Sequence, residues 1–158
     1  MIGFEAVKTI DMTQDDGLPD LIAAARQDPA TFGKLYDRYI QPVYRYLYSR
    51  LGSVHEAEDI TSQTFMAAYE ALPKYRERGQ FAAWLFQIAR SKMNDYFRKN
   101  RFEVRLEMAE ANFHREDALG TVIQEEDLNK LRSIIKKLNP EEQDLIRLRY
   151  VADLSFME

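Results

Sequence analysis

Twenty residues from Ser53 to Leu72, SVHEAEDITSQTFMAAYEAL, constrain this chain more than any other stretch. Ser53 with Glu56 after it has the spacing of a capping box, so a helix begins here. At about 100° per residue, Ala57, Ile60, Thr61, Thr64, Phe65, Ala68 and Leu72 share one side of that helix. Glu56, Asp59, Gln63, Met66 and Glu70 share another, and Glu58 adds to its charge. No Lys or Arg occurs between Leu51 and Pro73, so the negative charge is unopposed. A merely solvated face usually interleaves both signs to gain i,i+4 pairs. This one does not, and Gln63 and Met66 within it suit an adaptable contact surface for a basic partner.

The rest of the composition removes several function classes. With 158 residues, 46% hydrophobic and 30% charged, the chain suits one soluble domain or two small ones. Without Cys there is neither a disulfide framework nor a thiolate metal site. His55 and His114 lie far apart, and His55 beside Glu58 and Asp59 lacks the repeated Glu-x-x-His pairs of a carboxylate-bridged metal bundle. An enzyme, a metal and a cofactor are therefore not expected. No apolar run approaches the roughly 18 residues of a membrane span and no signal peptide opens the chain, which makes a cytoplasmic protein the default expectation.

The net charge of −4 hides a block structure. Residues 1–20 set Lys8 against Glu5, Asp11, Asp15, Asp16 and Asp20. Between Lys74 and Arg105 nine basic residues face only Glu77, Asp95 and Glu103. Residues 1–19 have no apolar periodicity and read as a mobile acidic tail. A helix is expected over Asp20–Gln27. Asp28-Pro29 is an N-cap followed by proline at the first helical position. It opens a second helix whose Phe32, Leu35, Tyr36, Tyr39, Val43, Tyr46 and Leu47 recur at three and four and which Gly52 closes. Pro42 is expected to kink or break it. The tyrosines suit either the walls of a helical core or base-stacking platforms, and the core is the preferred reading.

PKYRERGQ is a basic loop with an aromatic in it, and FAAWLFQIARSKMNDYFRKNRF follows as a helix with two sides. Phe81, Trp84, Leu85, Ile88, Ala89 and Tyr96 form its expected core face. Arg90, Asn94, Arg98, Arg101 and Arg105 form a stripe without an acid, able to track phosphates and reach a base edge. Trp84 suits a DNA wedge or, preferably, core packing. Glu107 to Asp127 is strongly acidic and reads as a linker. A short amphipathic helix with Leu128, Leu131, Ile134, Ile135 and Leu138 follows, and Asn139-Pro140-Glu141-Glu142 starts another, carrying Leu145, Ile146, Leu148, Arg149 and Tyr150. Ser155 to Glu158 repeats the capping-box spacing, so a cut or unfinished chain is expected.

Together, ATFGKLYDRYIQPVYRYLYSRLG, EAEDITSQTFMAAYEAL, FAAWLFQIARSKMNDYFRK and LNPEEQDLIRLRYVADLSFME resemble the extracytoplasmic-function (ECF) group of bacterial RNA polymerase sigma factors. The resemblance runs from about Asp20 onward. It implies an all-α fold: a helical promoter −10 and polymerase-binding domain over 20–105, an acidic linker over 106–127, and a partial helix-turn-helix domain over 128–158 that lacks its recognition helix. It implies that Glu58, Asp59 and Gln63, with Glu56 and Met66 as neighbours, dock on the clamp helices of the polymerase's largest subunit. Lys74, Tyr75, Arg76 and Arg78 of the loop, with Arg90, Asn94, Arg98 and Arg101 of the helix, would read and melt promoter DNA. An anti-sigma factor is a further implied partner. Such a protein lowers the cost of melting by coupling it to polymerase binding, and alone it is expected to bind DNA weakly. The competing expectation is a truncated sigma-like interaction module that occupies polymerase or an anti-sigma factor without initiating.

Overall fold

The computed structural model describes residues 17–100 and 125–153. The tail before Gly17, most of the linker with Arg101 and Arg105 in front of it, and the end from residue 154 lie outside the described residues. Six α-helices follow in order: α1 (Leu18–Ala25), α2 (Pro29–Leu51), α3 (Val54–Ala71), α4 (Phe81–Lys99), α5 (Glu125–Lys137) and α6 (Pro140–Ile146). A 3₁₀ turn (Leu72–Lys74) ends α3, and a π-helical turn (Arg147–Val151) continues α6. Among the described residues there is no strand, in line with the all-α expectation.

Local chemistry sets the helix ends. Asp28 accepts from the Ala30 and Thr31 amides at 3.2 and 3.0 Å and from the Thr31 hydroxyl at 2.6 Å, satisfying donors that α2 leaves open. These bonds, the Thr31 hydroxyl first, hold its carboxyl below the usual aspartate range. Gly52 closes α2 at φ 69°, a left-handed conformation that favours glycine. Ser53 then accepts from the Glu56 amide and starts α3. At α6 the capping box is reciprocal: Asn139 accepts from the Glu142 amide at 2.9 Å, and Glu142 accepts from the Asn139 amide at 3.0 Å.

α2 is the central element, packing against α1, α3, α4 and the π-helical turn, while α3 also packs on α4. Its buried side is Leu35, Tyr39, Val43, Tyr46 and Leu47, so these two tyrosines are core residues. On α3, Ala57, Ile60, Thr61, Thr64, Phe65 and Ala68 are buried, as the periodicity predicts. α4 differs in detail. Trp84, Ile88 and Tyr96 are only half-buried, whereas Ala82, Phe86 and Met93 are fully buried. Contact with both α3 and α2 widens the buried face, and Phe86 meets Tyr46 edge-on at 5.5 Å.

Pro42 does not break α2, which runs unbroken through it. A proline there forfeits one backbone bond. Its ring is buried on the core side, and the apolar positions before and after it stay anchored in one core. The C-terminal segment reaches the same core through Leu148 and Ala152. Of its other apolar positions, Leu128, Ile135, Leu138 and Ile146 are half-buried, whereas Leu131, Ile134, Leu145 and Tyr150 are exposed, the last at 77%. No described element lies over them.

Candidate functional site

The acidic side of α3 faces outward because Ile60, Thr64 and Phe65 fix the opposite side in the core. Glu58 and Asp59 are exposed, Glu56 is half-buried, and Met66 is 65% exposed despite being apolar. Gln63 donates from Nε2 to the Asp59 carboxylate at 3.0 Å, so amide and acid are presented as one polar unit. Among the described residues, no Lys or Arg pairs with Glu58 or Asp59. Next to this stripe lies an aromatic shelf absent from the sequence reading. Tyr69 meets Phe32 edge-on at 5.0 Å, Tyr36 meets Phe65 at 4.8 Å, and Tyr36 and Tyr69 remain exposed. Spacing within α3 and within α2 gives no sign of it, because it needs both helices side by side.

The 3₁₀ turn carries α3 into the basic loop. Lys74, Arg76 and Arg78 are exposed there. Tyr75 is not: it is 9% exposed, its ring 4.6 Å from Trp84 and 5.5 Å from Phe81. The ring of this expected loop contact is turned into the core. Burial, then the nearby Glu77 charge, raises its phenol above the usual tyrosine range. The loop is tied at both ends. The Arg26 guanidinium donates to the Tyr75 carbonyl, and Glu77 accepts from the amide of Gly79, which adopts φ 69°. Arg76 and Arg78 thus project from a braced loop. Trp84, half-buried between Tyr75 and Phe81, packs at the loop's base.

On α4, Asn94 and Arg98 are exposed, and Arg98 pairs with Asp95 at 2.7 Å. An exposed i,i+3 pair of this kind is weak and screened by salt. Arg90 is engaged differently: its Nε lies 3.8 Å from Asp144 of α6. Arg90, expected among the DNA contacts of the helix, is thus drawn toward a carboxylate from the C-terminal segment while its side chain stays 52% exposed. Asp144 is 4% exposed and accepts from the Tyr46 hydroxyl at 3.1 and 3.0 Å, with Arg50 at 3.5 Å. Burial, with the Asp144 charge beside it, holds the Tyr46 phenol well above the usual tyrosine range. Nothing in the α6 sequence marks Asp144 for this role. Among the described residues no group of His, Asp and Glu gathers as a metal-binding cluster, and no helix is long and apolar enough to cross a membrane.

Comparison with known proteins identifies the family of this helical core. Residues 35–103, which hold most of α2, all of α3, the basic loop and α4, match the Sigma-70 region 2 family. The chain is 35% identical over 144 residues to the ECF RNA polymerase sigma factor BldN of Streptomyces coelicolor, covering 88% of this chain and 54% of that protein. It is 30% identical over 142 residues to the ECF RNA polymerase sigma factor SigW of Bacillus subtilis, covering 83% of this chain and 76% of that protein. A solved structure of CnrH in complex with the cytosolic domain of CnrY is similar at a TM-score of 0.53 and 25% identity, over 86% of this chain and 75% of that one. A region 2 match over the helical core, with a curated relative at 30% identity across most of both chains, establishes the kinship: the chain belongs to the ECF group of RNA polymerase sigma factors.

Proposed function

We propose that this chain is a cytoplasmic transcription initiation factor that binds core RNA polymerase through α3 and uses the 74–80 loop and α4 to recognise and melt the promoter −10 element. The observation that carries the reading is the acid-only exposed face of α3, with Met66 uncovered at its centre and no described cation to neutralise Glu58 or Asp59. A basic partner surface would supply the missing charge, and Met66, Tyr36 and Tyr69 would give the contact an apolar centre. The clamp helices of the polymerase's largest subunit are the proposed partner. The braced loop supports the second half: Arg76 and Arg78 are held ready for phosphates, so little ordering entropy opposes their contacts.

The discriminating experiment is a pull-down of core polymerase with Asp59→Arg. Asp59 is exposed and bonded only within its own helix, so the variant is expected to fold and melt like the wild type while losing polymerase. Retention of polymerase at the wild-type level refutes the assignment of α3. A second reading, an interaction module that holds polymerase or an anti-sigma factor without initiating, draws on the exposed Leu131, Ile134, Leu145 and Tyr150 of the C-terminal segment. Run-off transcription from an extended −10 template separates the two.

A further inference from the structure

The contact at Asp144 joins two parts of the chain that are far apart in sequence. Tyr46 and Arg50 come from α2 and Arg90 from α4, all within the stretch that matches region 2. Asp144 arrives from α6, 98 residues after Tyr46. Among the described residues Asp144 is the only carboxylate paired in this cation-rich notch. Arg147, carried in by the same segment, is half-buried, and burial followed by the charge of Arg50 lowers its affinity for its proton. Two donors remain unmatched: Arg50 Nε and Arg147 Nη1 are buried without a hydrogen-bond partner. A planar carboxylate carries one charge on two oxygens, and here both lie within reach of the single Tyr46 hydroxyl, with Arg50 at 3.5 Å and Arg90 at 3.8 Å. A phosphate has more acceptor oxygens and more charge, and guanidinium groups bind it in forked geometry.

We propose that Tyr46, Arg50 and Arg90 form a phosphate site on the first helical unit which Asp144 occupies as a displaceable internal anion, and that lifting the C-terminal segment hands this site to a backbone phosphate of duplex DNA. The docked segment then masks part of the nucleic-acid surface. Repulsion between Arg147 and Arg50 limits how firmly it docks, and Arg90, with its side chain 52% exposed, is able to turn from Asp144 to an incoming phosphate. The proposal deepens the reading of α4 as a DNA surface and rests on it.

Duplex binding by the purified full chain, followed by fluorescence anisotropy across a salt series, tests the site. Asp144→Asn is expected to bind more tightly and to steepen the slope of log K against log salt by about 1, the change for one phosphate newly engaged. Glu141→Gln makes the same change in net charge at an exposed position of the same helix and is expected to keep the wild-type slope. The gain from Asp144→Asn is expected to disappear when Arg90→Ala is added, a non-additivity that marks a shared site. Hydrogen exchange over residues 140–152 accompanies each variant, with faster exchange expected for Asp144→Asn.

An unchanged salt slope in Asp144→Asn despite faster exchange overturns the phosphate site. Unchanged exchange overturns the displaceable dock. An equal gain from Glu141→Gln reduces the effect to bulk charge and also overturns the site. Should Asp144→Asn fail to fold, Leu148→Ala, which loosens the packing of the segment on the core and leaves Tyr46, Arg50 and Arg90 in place, replaces it in the same series. Failure of the underlying reading is separate: Arg98→Ala would then leave duplex binding untouched whatever Asp144 does.

Discussion

Replacing Tyr46 by Phe removes one hydroxyl and little else. The ring keeps its edge-on contact with Phe86 at 5.5 Å and its place in the core, so no cavity term arises. The lost group donates to a carboxylate that is 4% exposed, and a hydrogen bond to a charged acceptor contributes about 1.5–3 kcal/mol net. Asp144 would keep Arg50 at 3.5 Å and Arg90 at 3.8 Å, both beyond ideal hydrogen-bond length, and Arg90 is half in solvent. These remaining partners place the cost near the lower end, about 1.5–2 kcal/mol, or roughly a 10- to 30-fold loss in the ratio of docked to released segment. Amide hydrogen exchange reads this directly. Protection over residues 140–152 is expected to fall by that factor, while α3 and the first half of α2 keep theirs. Unchanged protection in 140–152 would falsify the bond's role in docking. A uniform loss across α2 to α4 would instead mean that the hydroxyl supports the whole fold.

The same geometry has a pH consequence. The Tyr46 and Tyr75 phenols are raised above the unfolded value of 10.0, so the stability they confer is fully present below pH 10 and lost as pH climbs toward their folded values. Tyrosinate absorbance is expected to show delayed ionisation for both, and Tyr46→Phe to remove one of the delayed steps. Tyr75→Ala is expected to destabilise the protein by about 3 kcal/mol, the scale for truncating a buried aromatic, with chemical denaturation as the check and a change under 1 kcal/mol as the contrary result. Arg76→Ala and Arg78→Ala are expected to weaken promoter opening, seen as reduced permanganate reactivity of the −10 region, without changing polymerase retention; wild-type reactivity in both would count against the loop.

Local pattern carried far where each helix answers to its own neighbours in sequence. The inward side of α3, the Asp28 cap, the Gly52 stop and the Asn139 capping box were all legible, since each depends on residues within one or two turns. Pro42 does not end α2 because a core holds the helix on either side of it, which the rule for an isolated helix ignores. Tyr75 reads as one of the DNA contacts of the loop, and the burial of its ring against Trp84 and Phe81 depends on packing that the loop's own sequence does not show. Asp144 was illegible for a stronger reason. An acid early in a helix beside Leu145 reads as a surface residue favoured by the helix dipole. Here the acid is buried and Leu145 is 64% exposed, an inversion set by Tyr46, Arg50 and Arg90 from elsewhere in the chain.

The chain's one tryptophan sits in ring contact with Tyr75 at the foot of the arginine-bearing loop. Its indole emission therefore responds to the segment proposed to capture the melted strand, with no competing fluorophore of its kind elsewhere. Any rearrangement of the loop on meeting polymerase or DNA can be timed in unlabelled protein by stopped flow, which makes the order of docking and strand capture an experimentally accessible quantity.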